Sequence, residues 1–379
     1  MSVMVLDAEN RSSLAVIRSI GRAKIAVFAA SHSKNAIGLA SKYTYKKLTY
    51  ANPHQEPKKF AEEVYVLVNK YRPSVLIPCS DLTLELILEH ESNFKSFTSL
   101  PFSNFETIKK ALDKAQVLEL AKSVGINIPK SQVVLPADKV NSFPCPAVIK
   151  AKKSFNDTAM GFDKPSVFYA NTLEDINYQL KYIHCPSLLQ ERITGEGVGL
   201  FVLAKNGEVL NSFAHKRILE KPPSGGVSVL SESIDIKETP YNKCLELIKK
   251  LGLDGMAMIE FKRHSDGQLY LMEINPRFWG SLQLAISSGV DFPAQLYFLF
   301  TGEIKPEQEN YKVGNRLRWL FGTLDHFYIA LKAKKLNYLK EVLTKNKLKF
   351  FNKTINYDVF DFKDIKPFIQ EIRNYFSRS

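Results

Sequence analysis

Short apolar runs alternate with amphipathic stretches over the first third of the chain. The runs have the length of strands, and the stretches between them carry apolar residues at helical spacing. The pattern predicts strands at residues 3–6, 25–30, 46–50 and 74–78 and helices at residues 57–71 and 81–90. Strands that alternate with helices favour an open, mainly parallel sheet.

Ligands of such a sheet bind at the carboxyl ends of its strands. In this chain those ends lie near Asp7, Asn10, Ser31 and Asp81. No Gly-x-Gly-x-x-Gly sequence follows the first strand, which argues against a dinucleotide site there. The pattern thus predicts a ligand site at this edge without identifying the ligand.

Two apolar runs later in the chain end in polar residues. The first, residues 255–261, ends near Glu260, and the second leads into Glu273, Asn275 and Arg277 at every second position. An Asp-Gly pair between the runs predicts a β-hairpin. Because side chains two residues apart on a strand share a face, the hairpin is expected to gather these groups on one surface.

The chemistry of this set favours a magnesium site. Two carboxylates and an amide oxygen form a hard, oxygen-only cluster, which suits Mg²⁺ better than zinc, especially when phosphate oxygens complete the coordination. The planar guanidinium of Arg277 can hold a phosphoryl group through two hydrogen bonds. The alternative is an ordinary hairpin with a solvated polar face.

Length and composition indicate a globular protein of two or three domains. The 379 residues are 45% hydrophobic and 24% charged. The four cysteines are widely spaced, without a Cys-x-x-Cys pair, so neither a zinc site nor a disulfide framework is expected. No apolar run has the length of a membrane span, and the first residues lack the pattern of a signal peptide, so we expect a cytoplasmic protein.

The net charge of +13 raises the question of an anionic partner. Eight lysines and a single acid lie between residues 332 and 353, above a predicted helical stripe of leucines. This pattern favours a solvated helix face packed on the body of the protein. Contact of residues 332–353 with an anionic membrane surface is the less favoured alternative, and we expect no nucleic-acid partner.

The motifs around the hairpin resemble a known family. Met-Glu-Ile-Asn-Pro-Arg at 272–277, preceded by Met-Ile-Glu-Phe at 258–261, resembles the metal-binding signature of the ATP-grasp superfamily. The continuation Phe-Trp-Gly-Ser-Leu at 278–282 and Gly-Val-Asp-Phe-Pro at 289–293 is similar to a branch described as predicted ATP-dependent carboxylate-amine ligases. The resemblance covers roughly residues 100–300 well and the N-terminal third more loosely.

This resemblance implies a fold of mixed α/β and α+β class. A Rossmann-like N-terminal domain with a parallel sheet would be followed by a two-subdomain ATP-grasp fold. The N-terminal domain would help to hold the substrate. We expect the N-terminal domain at residues 1–104, the small subdomain at 105–190 and the large subdomain with the metal site at 191–305. Residues 306–379 would form a basic C-terminal extension packed on the large subdomain.

The resemblance also implies ATP with one or two Mg²⁺ ions, or Mn²⁺, and assigns residues to them. The metal would be held by Glu260, Glu273 and Asn275. The phosphates would be held by Lys114, on a predicted helix from residue 105 to 124, and by Lys150, which ends an apolar strand at the rim of a cleft. The linker at 187–195 would meet the adenine through Gln190, Glu191 and Ile193, with Glu196 as the nearest acid for the ribose.

One segment departs from the family pattern. A glycine-rich flap usually covers the phosphates, but residues 151–161 contain a single glycine. We expect Lys152, Lys153 and Ser154 to supply part of that contact.

A second predicted hairpin adds two candidate groups. Residues 200–204 and 209–217 flank an Asn-Gly turn, and His215 and Arg217 share one face beside the glycine-containing loop at 221–226. An imidazole and a guanidinium beside a flexible loop fit an anionic carboxylate or acyl phosphate. An exposed hairpin edge fits equally well.

These observations favour an ATP-dependent ligase that activates a carboxylate as an acyl phosphate and joins it to an amine. The catalytic set would be Arg277, Arg217 and His215, and the partners would be small carboxylates and amines. Carboxyphosphate chemistry with bicarbonate is one alternative, and a noncatalytic protein that binds membrane or nucleic acid through its basic C-terminal region is another. The acid, the amine and the oligomeric state stay open.

Overall fold

The N-terminal part of the computed structural model is a four-stranded parallel sheet in the order β3-β2-β1-β4. The structure describes residues 1–153, 156–158, 161–163, 167–303, 310–334, 338–339 and 355–377. The predicted parallel sheet is confirmed. Its elements are β1 (Ser2–Val5), α1 (Arg11–Arg22), β2 (Ala26–Ser31), β3 (Thr44–Thr49), α2 (Pro57–Tyr71), β4 (Val75–Ile77), α3 (Asp81–Glu89) and α4 (Glu91–Lys95).

The helix predicted at 105–124 is interrupted. It forms α5 (Phe105–Leu112) and α6 (Lys114–Ser123), separated by Asp113. Asp113 has an extended backbone, and its carboxylate accepts hydrogen bonds from the N–H groups of Ala115 and Gln116. An aspartate in this position caps a new helix, so Lys114 becomes the first residue of α6. Both helices pack on the large sheet described below.

A small antiparallel sheet follows, in the order β5-β10-β6-β9. Its inner face packs on α7 through Ile149, Ile176 and Leu189. Because side chains alternate along a strand, Lys150 lies on the opposite face. The elements are β5 (Ser131–Val134), β6 (Ala147–Ala151), the separate hairpin β7 (Asn156–Thr158) and β8 (Gly161–Asp163), β9 (Phe168–Ala170), α7 (Leu173–Gln179) and β10 (Ser187–Glu191).

The third layer is a seven-stranded sheet in the order β15-β14-β11-β12-β13-β16-β17. One face packs on α5, α6 and α8. The other face shares a single hydrophobic core with the N-terminal sheet, through residues such as Val3, Ile17, Phe201, Met256 and Trp279. Its first elements are β11 (Glu196–Lys205), β12 (Glu208–Lys221), β13 (Val227–Ser233), α8 (Tyr241–Leu251), β14 (Gly255–Arg263), β15 (Leu269–Asn275), α9 (Leu282–Ser288) and α10 (Phe292–Thr301).

The C-terminal residues complete this sheet. They contribute β16 (Arg316–Arg318), α11 (Leu320–Lys332), β17 (Ile355–Tyr357) and α12 (Lys366–Phe376). Most of the basic stretch predicted at 332–353 lies outside the described residues. Within the described part of the chain, no helix combines the length and apolarity that a bilayer crossing requires.

The C-terminal segment is also fastened to the N-terminal domain. The guanidinium of Arg18 on α1 is buried and donates to the Asp364 carboxylate at 3.0 Å and to the carbonyl oxygens of Asp358, Val359 and Asp364. Arg11, at the start of the same helix, forms an ion pair with Asp358. The extension thus contacts the N-terminal domain as well as the large sheet.

We expect Arg18→Ala to destabilise the protein far more than Arg22→Ala. Arg22, on the same helix, forms a partly exposed ion pair with Asp361 at 2.8 Å. Removing Arg18 leaves the Asp364 carboxylate buried without its counter-charge, which typically costs about 3–5 kcal/mol, whereas an exposed pair contributes about 0–1 kcal/mol. Urea unfolding of both variants measures the difference, and equal losses would contradict a stabilising role for the buried pair.

Candidate active site

The hairpin of β14 and β15 places two acids opposite each other. Glu260 pairs with Glu273 in the antiparallel register, and Asn275 pairs with Met258 one step along the same face. The side-chain amide of Asn275 donates to the Glu273 carboxylate at 3.0 Å. The hairpin that the sequence predicts is therefore present, and it brings Glu260, Glu273 and Asn275 together.

Two lysines from other elements approach this acidic face. The ammonium of Lys114, at the start of α6, lies 3.4 Å from a carboxylate oxygen of Glu273. Lys150, on the cleft side of the small sheet, is close enough for its charge to act on Glu273. Burial alone would raise the pKa of the Glu273 carboxyl, but the charges of Lys114 and Lys150 lower it to about 2. Glu273 is therefore ionised at any physiological pH.

Lys150 is itself strongly perturbed. Burial lowers the pKa of its ammonium group to about 8; the charge of Glu273 opposes this shift and that of Lys114 adds to it. A lysine with a pKa near 8 is still mostly protonated at pH 7, and an approaching anion such as a phosphate would further stabilise its charged form.

We expect Lys150→Met to raise the melting temperature at pH 7. Between pH 8 and about 10.5 the unfolded lysine holds a proton that the folded one has lost, so the free energy of unfolding of the wild type rises with pH over this window. Below pH 8 the whole cost of the buried charge, a few kcal/mol, is present. The advantage of the variant should thus shrink from pH 7 to pH 10 in thermal scans, and a constant difference would contradict the low pKa.

Arg217, on β12, neutralises the other acid of the pair. Its guanidinium donates to both carboxylate oxygens of Glu260, at 2.9 and 2.6 Å, and to Glu220 at 3.2 Å. Burial disfavours the charged guanidinium, but Glu260 and Glu220 together raise the pKa of Arg217 above its ordinary value. Arg217 is thus a fixed cation beside the acidic face.

Arg277 connects the hairpin to the N-terminal domain. It donates to the two carboxylate oxygens of Asp81 at 2.7 and 3.2 Å, to the side-chain oxygen of Asn275 at 3.1 Å and to the carbonyl of Phe278 at 3.0 Å. Asp81 opens α3, which follows strand β4 of the N-terminal sheet. Among the four residues predicted near the strand ends, Asp81 is the one that contacts the hairpin motif.

A cleft of about 610 Å³ separates the N-terminal domain from the large sheet at this point. The acids, Asn275, Arg217 and Arg277 line one side, and Asn10 and Asp81 line the other. Of the remaining predicted strand-end residues, Asp7 is buried and accepts hydrogen bonds from Cys79 and Thr83, and Ser31 is buried and donates to Glu9. The predicted edge of the sheet thus borders the cleft through two of its four residues.

His215 does not line this cleft, and its predicted contact with substrate is corrected. The side chain is fully buried, with its ring edge-on to Phe201 at 4.6 Å, and neither ring nitrogen has a hydrogen-bond partner among the described residues. Trp279 stacks on the same Phe201 ring at 4.0 Å. Burial lowers the pKa of His215 well below its ordinary value, so the ring is neutral. Strand alternation correctly placed His215 on the same face as Arg217, but the rings of Phe201 and Trp279 cover the His215 side chain.

The predicted nucleotide linker lies between the two later sheets. Gln190 is buried on β10, and its amide donates to the Ser131 hydroxyl at 3.0 Å. Glu191 ends β10, and Ile193 lies half-buried in the connection to β11. Glu196 opens β11, beside a cleft of about 440 Å³ that also reaches Arg217. The linker therefore runs close to the acidic face.

The lysines expected to replace the flap are engaged by acids. Lys152 forms an ion pair with Asp113 at 3.0 Å, and Lys153 donates to Glu85 at 2.8 Å. Ser154, the third predicted contact, lies outside the described residues.

The part of the chain that carries the acidic hairpin matches a known family. Residues 184–322, which include the acidic hairpin, match a family model described as ATP-grasp in the biosynthetic pathway with Ter operon. The chain is 22% identical over 238 residues to D-aspartate ligase from Enterococcus faecium (strain Aus0004), an alignment that covers 58% of this chain and 56% of the relative. The chain spans about half the length of the curated relatives that it matches.

Solved structures share the fold at low sequence identity. The L-amino acid ligase of Bacillus licheniformis superposes with a TM-score of 0.63 at 13% identity, covering 80% of this chain and 76% of that one. The biotin carboxylase domain of 2-oxoglutarate carboxylase from Hydrogenobacter thermophilus, solved with MgADP and bicarbonate, superposes with a TM-score of 0.64 at 16% identity, covering 83% and 73%. The arrangement of three layers around the cleft is therefore a known one.

Proposed function

Because the chain belongs to the ATP-grasp superfamily, we propose that it is an ATP-dependent carboxylate-amine ligase. The observation that carries this proposal is the face formed by Glu260, Glu273 and Asn275. Arg217 and Arg277 line the same cleft, and Lys114 and Lys150 act on Glu273. An acidic face alone would bind a metal, and cations alone would bind an anion. The two together suit a metal-bound nucleotide that gives up a phosphoryl group.

The acidic face fits Mg²⁺. All three side chains offer oxygen atoms, and Glu273 stays ionised because its pKa is held near 2. We assign one or two Mg²⁺ ions, or Mn²⁺, to Glu260, Glu273 and Asn275. When bound, such an ion would offset the negative charge of the phosphates.

The four cations divide between two tasks. Lys114 and Lys150 hold the phosphates of ATP, since both ammonium groups are directed toward Glu273 from outside the hairpin. Arg277 and Arg217 contact the phosphoryl group in transit, because their guanidinium groups have five donors each and keep some free beside their carboxylate partners. These fixed charges meet negative charge as it develops.

The reaction has two displacement steps. A substrate carboxylate oxygen attacks the terminal phosphorus of ATP, and the bond to the bridging oxygen breaks to release ADP. The amine then attacks the acyl carbon of the resulting acyl phosphate, inorganic phosphate leaves, and the nitrogen loses a proton. Phosphate is a far better leaving group than hydroxide, which is the reason for spending ATP.

The nucleotide base is assigned to the linker. Gln190, Glu191 and Ile193 would contact adenine, largely through backbone groups, and Glu196 would accept from the ribose. These residues lie on β10, at the start of β11 or in the connection between the two strands, and Glu196 borders the cleft that also reaches Arg217.

Pooled substrates test the activity directly. Purified protein with Mg-ATP is incubated with pools of carboxylates and amines, ADP release is followed, and the products of positive pools are identified by mass spectrometry. The proposal expects ADP release that requires both an acid and an amine. A nonhydrolysable ATP analogue should raise the melting temperature only with Mg²⁺, since a ligand selective for the native state stabilises it. If the analogue does not stabilise the protein and no ADP is released, the result would favour the noncatalytic binding protein instead.

Carboxyphosphate chemistry is a second candidate. The likeness to the biotin carboxylase domain favours it, since that domain was solved with bicarbonate. Under this alternative, bicarbonate alone would stimulate ADP release, without an organic acid.

A further inference from the structure

Helix α12 and the loop before it leave a line of apolar side chains at the surface. Phe362, Ile365, Ile369 and Phe376 are exposed by 87%, 37%, 41% and 65%. Ile365, Ile369 and Phe376, at separations of four and seven residues, lie along one side of α12 and its N-cap, and Phe362 lies in the turn just before the helix. Single exposed apolar residues are ordinary, but four in a row form a defined apolar stripe. We call these four residues the α12 stripe.

The exposed charged side chains beside the α12 stripe are all basic. Lys363, Lys366 and Arg373 are exposed, whereas none of the four acids in residues 355–377 is. Asp358, Asp361 and Asp364 are paired with arginines of α1, and Glu371 accepts a hydrogen bond from the Trp319 indole. The segment therefore presents apolar groups and positive charge to solvent, and its acids are buried or only partly exposed.

A basic cleft lies next to the stripe. It has a volume of about 510 Å³ and is formed where α12 meets the chain around β3. Lys42 and Lys47 contribute from one wall, Lys366 and Arg373 from the other, and Ile369 of the α12 stripe lies at the same opening. Four cations from two separate elements thus surround one space beside exposed apolar side chains.

We propose that this surface binds an anionic phospholipid bilayer, with headgroup phosphates in the basic cleft and the α12 stripe in the interfacial layer. Amphipathic helices that lie on membranes combine these two features. A second copy of the chain fits less well, because a symmetric contact would bring the same cations face to face. Nucleic acid would match the charge but would leave the apolar stripe without a partner. The proposal is independent of the catalytic assignment.

Co-sedimentation with vesicles tests this inference on the full chain. The protein should bind vesicles that contain phosphatidylglycerol and should not bind vesicles of phosphatidylcholine alone. Each basic residue near an anionic surface contributes about fivefold in partition, so Lys366→Glu with Arg373→Glu should lower binding by at least about 25-fold. Phe362→Ser should lower it by about tenfold, since burying a phenylalanine contributes on that order.

Matched controls distinguish the effect of the basic cleft and the α12 stripe from the effect of net charge. Lys58→Glu with Lys70→Glu changes the net charge by the same amount on exposed positions of α2 and should keep most of the binding. Val66→Ser removes an exposed apolar residue from that same helix and should also keep it. Inorganic phosphate, added at constant ionic strength, should not displace the protein from the vesicles, because phosphate does not bind the apolar stripe.

Several results would overturn the proposal. Equal binding to both vesicle types, no binding to either, or an equal loss in the α2 control would each do so. A change of oligomeric state in Phe362→Ser, seen by analytical ultracentrifugation while vesicle binding stays intact, would show that the stripe joins copies of the chain. Thermal scans of every variant should match the wild type, since all the altered side chains are exposed.

Discussion

Glu273→Gln is expected to lower kcat for ADP release by about 10²- to 10³-fold, the loss typical of one preorganised electrostatic contact. Glu273 is the group on which the site converges: it faces Glu260, accepts from Asn275 and lies 3.4 Å from Lys114. The amide of glutamine keeps the shape and removes the negative charge. Steady-state ADP release at saturating Mg-ATP is the measurement.

The control is an isosteric change elsewhere. Glu119 is exposed on α6, the helix that begins at Lys114. Glu119→Gln should leave kcat unchanged. The Mg²⁺-dependent rise in melting temperature with a nonhydrolysable ATP analogue should also be lost in Glu273→Gln. Near-normal turnover of Glu273→Gln would refute the metal assignment.

Arg277→Lys is expected to lower kcat by about 10²- to 10³-fold although the charge is retained. The guanidinium forks across both oxygens of Asp81 and still reaches Asn275, a planar geometry that an ammonium group cannot reproduce. The exposed Arg72→Lys serves as the matched control and should behave as the wild type.

Asp81→Asn separates positioning from charge. Arg277 keeps its contacts with Asn275 and Phe278 in this variant, so the loss in kcat should be smaller, about tenfold, as for supporting residues around a reacting centre. A loss in Asp81→Asn that equals the loss in Arg277→Lys would mean that Asp81 touches the substrate directly.

The local parts of the site could be predicted from the sequence. The hairpin of β14 and β15 is predicted by two apolar runs, an Asp-Gly turn and polar residues at every second position, all within a short stretch of chain. The parallel orientation of the N-terminal strands follows in the same way from the alternation of strands and helices. Such features depend on neighbours in sequence, which a single chain displays.

The sequence did not predict how deeply a side chain is buried or which residues far apart in the chain are in contact. Alternation placed His215 on the same face as Arg217, but the covering layer of Phe201 and Trp279 comes from separate parts of the chain. The partner of Arg277 is Asp81, 196 positions away, and no local pattern connects the two. The break at Asp113 was readable in principle, because an aspartate before a helical run is a capping signal.

The arginines of α1 have a mechanical consequence. They bind the segment that carries β17 into the large sheet, and the N-terminal and large sheets also share one hydrophobic core. Those two walls of the cleft are therefore held together, so we expect that any opening of the cleft would move the small sheet, which carries Lys150 on the face opposite α7. We expect such a motion to turn about the two points where the chain enters and leaves that sheet, next to Lys130 and Arg192.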